Sequence, residues 1–161
     1  MRERLFRGRR MYSEEWIYST TIFAKGDSVY MPRPNTNYII TSHADIVGDI
    51  WQIECKRPDC FYRVDPSTIG QYTGLTANGK KIFEEDIIRA NHDGVVGVVR
   101  FGEYMSPSDP DPTRHIGYYV DWQGKDKDFL RADLGYWASH SAVEVIGNIH
   151  DNSELLEDKP S

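Results

Sequence analysis

Residues 71–89 read Gln71-Tyr72-Thr73-Gly74-Leu75-Thr76-Ala77-Asn78-Gly79-Lys80-Lys81-Ile82-Phe83-Glu84-Glu85-Asp86-Ile87-Ile88-Arg89, and their reading decides the fold. Asn78-Gly79 supplies the two positive-φ positions of a two-residue hairpin turn. The flanking residues are rich in β-branched and aromatic types, which predicts a strand on each side. The second strand ends at the acidic step Glu84-Glu85-Asp86, and a third begins at Asp86. The chain is thus expected to be built from short strands joined by tight turns.

Downstream, Asn91-His92-Asp93-Gly94 turns the chain into Val95-Val96-Gly97-Val98-Val99-Arg100-Phe101. A glycine inside that strand predicts a bulge or sharp bend. Residues 105–113 carry three prolines and two acids and read as a loop, the segment expected to be most mobile. Ile116, Tyr118, Val120 and Trp122 alternate with Gly117, Tyr119 and Asp121, which predicts a strand with one apolar face. Gly124-Lys125-Asp126-Lys127-Asp128 turns the chain again. Val143–Ile149 gives the last strand, and Ser153–Asp158 can form one helical turn with Ser153 as N-cap.

Upstream, Glu15–Ile22, Ser28–Met31, Tyr38–Thr41 and Ile50–Glu54 read as strands. Pro32 and Pro34 cannot donate to a sheet ladder and mark a loop between two of them. Val64–Gly70 reads as a linker, because proline keeps Asp65 out of the helical region. The expected division is a small N-terminal β subdomain over residues 1–65 and a compact barrel over 66–161 with a short C-terminal tail.

A chain of 161 residues can bury roughly 70% of its unfolded surface, enough for a core without staples. Ten Tyr, four Trp and six Phe reinforce the all-β expectation. Cys55 and Cys60 alone cannot furnish four zinc ligands; a disulfide between them is sterically possible, but two reduced thiols of a cytoplasmic protein are expected. No stretch approaches the ~20 apolar residues of a membrane span. The N-terminus lacks the apolar region of a signal peptide, so a cytoplasmic location is expected.

Beyond residues 71–89, further stretches resemble one family. Leu5-Phe6-Arg7-Gly8-Arg9 followed by Glu15-Trp16-Ile17-Tyr18 resembles the opening of YopX-like proteins, small proteins found in phages and prophage regions. Val64–Gly70 before Gln71–Leu75 resembles the family's approach to its signature. Val143–Ile149 with Asn152 and Leu155-Leu156 is similar to its closing strand and tail. One departure stands out: relatives usually carry glycine between the Glu and Asp of the acidic step, where this chain has Glu85. If that position requires positive φ, Glu85 is strained by ~1 kcal/mol or more. The resemblance implies an all-β protein whose C-terminal part is like an SH3-type barrel, and it implies no activity.

Candidate chemistry is sparse. Glu84, Glu85 and Asp86 are adjacent, but successive strand residues face opposite ways, and acid–base pairs must converge. Asp86 is expected to accept backbone N–H groups at the turn before its strand. His43, His92, His115, His140 and His150 show no metal-ligand spacing, and Gly70, Gly74 and Gly79 form no phosphate loop. No catalytic, cofactor-binding or metal residue is assigned and no cofactor is expected, so the chain reads as non-enzymatic. Tyr118, Trp122, Tyr136 and Trp137 could stack on bases, but core or interface positions suit them better.

The net charge of −6 argues against broad nucleic-acid binding. Charge is uneven, however: Arg2, Arg4, Arg7, Arg9 and Arg10 crowd the first ten residues, while Asp151, Glu154, Glu157 and Asp158 mark the tail. The arginines are expected to serve either as an arm that touches nucleic acid or an acidic partner or, more often, as a solvated strand edge. The expected function is a phage or prophage accessory protein that binds a host or phage protein or self-assembles into an oligomer. The alternatives are nucleic-acid contact through the barrel, or an acidic decoy of a host nucleic-acid-binding protein.

Overall fold

The computed structural model describes residues 3–32, 38–43, 50–55, 61–106, 109, 113–124, 130–140 and 142–157, with the backbone alone for 25, 38–43 and 50–55. The protein is mostly β, with one short α-helix among the described residues. Two compact units divide it, residues 5–69 and residues 70–161 with the first four residues.

In the unit of residues 5–69, β1 (Phe6–Arg9) pairs antiparallel with β2 (Trp16–Ser19). β3 (Phe23–Lys25), β4 (Ser28–Pro32) and β7 (Phe61–Val64) form a three-stranded sheet in that order. β5 (Tyr38–His43) and β6 (Ile50–Cys55) form a separate pair. Pro32 closes β4 opposite Phe61 rather than opening a loop, a strand-end position where its missing donor is tolerated; Pro34 lies outside the described residues. Ile17, Met31 and Val64 make the core. Gly8 lies under it, where an added Cβ would stand 3.2 Å from Met31 Cε and 3.3 Å from Val64 Cβ. The Asp65-Pro66 step caps a 3-10 turn over Pro66–Thr68, the Asp65 carboxylate accepting the Ser67 N–H at 3.0 Å.

In the other unit the signature hairpin forms as expected. β8 (Gly70–Ala77) and β9 (Lys80–Phe83) are joined by Asn78 and Gly79, at φ 50° and 79°. The register slips between Tyr72 and Thr76, where Gly74 takes φ 85°. β10 (Asp86–Ala90), β11 (Val96–Met105), β12 (Arg114–Trp122) and β13 (Val143–Asn148) make an antiparallel sheet in the order β12-β11-β10-β13. Ala77, Ile82, Ile88, Ala90, Val99, Val120, Trp122 and Val143 meet in one apolar cluster.

Gly97 causes no bulge. It keeps regular register with Ile88 and Trp122, and the irregularity lies instead in β13, where Ile146 is the extra residue between partners of Ile87 and Ile88. Gly97 is required by close approach, since an added Cβ would stand 2.6 Å from Val120 Cγ1 and 2.8 Å from Trp122 Cε3. A helix that the sequence pattern did not announce, α1 (Leu134–Ser139), adds Leu134 and Trp137 to the core. Six residues carry too few turns for a periodic signal. The tail turn is a 3-10 turn over Ser153–Leu156 with Asn152, not Ser153, at the N-cap position.

Candidate interaction surface

Among the described residues β11 and β12 are the longest strands, ten and nine residues. They pair from Gly97↔Trp122 to Met105↔Arg114, whereas β10 pairs with β11 only over Val96–Val98. Among the described residues, then, the outer half of β11 is paired on the β12 side alone. At ~3.3 Å per residue, the part beyond Val99 extends about 20 Å as a two-stranded arm.

Alternation sorts this arm into two faces. Val99, Val120 and Trp122 begin one face inside the core. The same face continues outward with Phe101 opposite Tyr118 and Ile116 opposite Glu103, then Met105 opposite Arg114. Here it leaves the core: Phe101 is 56% exposed, Met105 59% and Ile116 79%. Phe101 and Tyr118 meet edge to face at 5.0 Å. Glu103 and Arg114 form an ion pair of 2.8 Å across the strands. The alternation expected for Ile116–Trp122 is therefore present, but burial stops at Tyr118.

The opposite face is polar and aromatic. Tyr104 stacks against both His115 and Tyr119, with ring centroids at 5.2 and 5.3 Å. His115 is 2.7 Å from Asp109. Arg131 binds Asp133 at 3.0 Å and lies over the Tyr136 ring. Burial, with the nearby charges of Asp133 and Asp109, pushes the Tyr104 hydroxyl above its ordinary pKa. The Arg131 hydrogen bond holds the Asp133 carboxyl below the usual carboxylate range.

The acidic step folds into a tight structural turn. Asp86 is buried and accepts the Phe83 N–H at 2.8 Å, the turn role expected of it. Glu85 has φ 68°, so this is the positive-φ position at which the family's glycine would be at ease. Its carboxylate reaches His150 at 2.7 Å and Arg100 at 3.6 Å. Sequence reasoning could not pair Glu85 with His150, because only the folded sheet brings them together. Burial and the Glu85 charge push the Glu84 carboxyl up, opposed by the Gln71 N–H and Arg100.

Other candidates are spread over the molecule. Arg7 is buried and stacks on Trp16; Arg9 pairs with Glu14, and Arg10 with Glu15 while lying over Tyr62. Trp122 and Trp137 are buried, Tyr136 is 38% exposed, and both indole N–H groups donate to the Arg131 carbonyl at 2.8 Å. His92 pairs with Asp93 and stacks on Trp137, and His140 accompanies Ser139 and the Tyr136 carbonyl. Cys60 and most of the proline-rich loop 105–113 lie outside the described residues. Among the described residues no group of three or more His, Cys, Asp or Glu is placed to hold a metal ion, and no helix is long and apolar enough to cross a membrane.

These elements define a mostly-β protein whose described surface carries an exposed two-stranded arm. The family described as YopX protein matches residues 5–157, nearly the whole length, and the chain belongs to the YopX family. No curated protein and no solved structure matches it.

Proposed function

We propose that the protein is a non-enzymatic phage or prophage accessory module of the host cytoplasm that works by binding protein through the arm of β11 and β12. The observation that carries this reading is the exposure of Phe101, Met105 and Ile116 on one continuous face. Single exposed apolar residues are ordinary, but several on one face, interspersed with an ion pair, mark an interaction surface. The two Trp residues offered as base-stacking candidates lie in the core, and Arg7, Arg9 and Arg10 are engaged by neighbours of their own unit. Both features favour protein over nucleic acid as the partner.

The test is a tagged pull-down from bacterial lysate, with and without nuclease, comparing wild type with Phe101→Asp and Ile116→Asp. Proteins retained by wild type in both conditions and lost from both variants support the reading. Retention that nuclease abolishes would move nucleic acid to first place, and retention unchanged by either variant would remove the arm from the account.

A further inference from the structure

We propose that the apolar face of the arm docks on the same face of a second copy of this chain, in a two-fold pair with the axis running along the arm. The inference rests on the reading of the arm as a binding surface. It follows from how charge is placed there. The face carries one acid, Glu103 on β11, and one base, Arg114 on β12, either side of the exposed Ile116. A face shaped for a strongly basic or acidic partner would carry one sign. This one carries both, on opposite strands, so it is complementary to itself.

A two-fold axis along the arm sets β11 of each copy against β12 of the other, the isologous arrangement of symmetric dimers. Phe101 then lies over the partner copy's β12 near its Tyr118 position, and Ile116 over the partner copy's β11. Glu103 of each copy comes within reach of the Arg114 position of the other. The ion pair now made within one chain, at 2.8 Å, is doubled into a four-charge cluster that closes over apolar side chains. Faces of stacked sheets stand ~10 Å apart, and Glu103 and Arg114 sit one rung apart along the arm, a gap that a Glu and an Arg reaching from the two copies span together.

The experiment is sedimentation velocity on the full chain, for wild type, Glu103→Arg, Arg114→Glu and an equimolar mixture of the two variants. Loading runs from roughly 1 µM to 1 mM, where a small interface associates. Wild type is expected to pass from monomer to dimer. Each variant alone presents charges of one sign and is expected to associate roughly tenfold more weakly or less. The mixture is expected to regain wild-type association, because each copy then meets its opposite. The broken pair within each chain is not repaired by mixing, so recovery reports the contact between copies.

Hydrogen exchange on wild type at low and high concentration needs no variant, and protection is expected over residues 100–105 and 114–118. A wild type that stays monomeric throughout, a mixture no more associated than its parts, or protection confined elsewhere would overturn the inference. A monomeric wild type whose Ile116→Asp variant still loses a lysate protein would sink the dimer and leave the binding reading standing. A dimer through the arm with no lysate protein retained would do the reverse.

Discussion

The carboxylate of Glu85 lies 2.7 Å from Nε2 of His150, across 65 positions of sequence. Glu85 also donates its N–H to the Val99 carbonyl at 2.8 Å and accepts the Ile149 N–H at 3.1 Å. One residue at φ 68° thus ties the turn after β9 to β11 and to the end of β13. An L-residue in the left-handed region costs roughly 1–2 kcal/mol, and a charge-assisted hydrogen bond returns about as much. The side chain offsets the strain that its own Cβ creates.

This balance predicts a ranking. Glu85→Ala keeps the strain and loses His150 and Arg100, so it is expected to destabilise by ~1–2 kcal/mol. Glu85→Gly loses the same contacts but sheds the strain, and is expected within about 0.5 kcal/mol of wild type. Urea unfolding of the three proteins checks it. An alanine variant as stable as the glycine variant would show that the backbone at this position is not strained.

Gly97 has no conformational need for glycine and a strict spatial one. An added methyl would meet Val120 Cγ1 at 2.6 Å, Trp122 Cε3 at 2.8 Å and the Asp121 carbonyl at 3.1 Å. Overpacking of this kind costs about 1–3 kcal/mol, and Gly97→Ala is expected to cost at least the middle of that range. By contrast Gly117→Ala, with open space around its Cβ, should leave stability unchanged. A melting temperature for Gly97→Ala equal to wild type would refute the close approach.

The Arg131 carbonyl receives both indole N–H groups, from Trp122 and Trp137, each at 2.8 Å. Replacing either Trp by Phe leaves the acceptor with one donor and is expected to cost about 1–3 kcal/mol, mostly through lost packing. Replacing both orphans the carbonyl. The double variant is expected to fall below the sum of the singles by ~1 kcal/mol. A double-mutant cycle by chemical denaturation measures this, and an additive result would mean that water replaces the lost donors.

Two carboxylates pull the pH dependence of stability in opposite directions. Glu84 is raised in the folded protein, first by burial. Its stabilising contribution is full below the unfolded value of about 4.3 and is lost as pH rises through the folded value. Asp133 is lowered, first by the Arg131 hydrogen bond. Its contribution is full above the unfolded value of about 3.9 and is lost as pH falls through the folded one. Wild type should therefore lose ground to Glu84→Gln on going from pH 4 to neutral, in the direction linkage sets. It should lose its advantage over Asp133→Asn on acidification below about pH 4. Unfolding curves with no pH trend in either comparison would contradict these environments.

The local code was readable wherever a turn or a period of two carried it. Asn78-Gly79 determined the signature hairpin, because only residues at ease with positive φ form that turn. The alternation through Trp122 announced a strand with an apolar face, and the order of motifs from Leu5 to Leu156 pointed to the YopX family. Tertiary structure decided the rest. It ended burial at Tyr118 and left Ile116 and Phe101 exposed, since alternation reports which side a residue faces and not how far the opposing layer reaches. It put Ile146 rather than Gly97 out of register, because glycine marks a bulge and a close approach with the same letter. It brought His150 to Glu85, a contact made only when strands distant in sequence are laid side by side. Short-range conformational preference is written in neighbouring residues, whereas surface and long-range pairing exist only once the sheet is assembled.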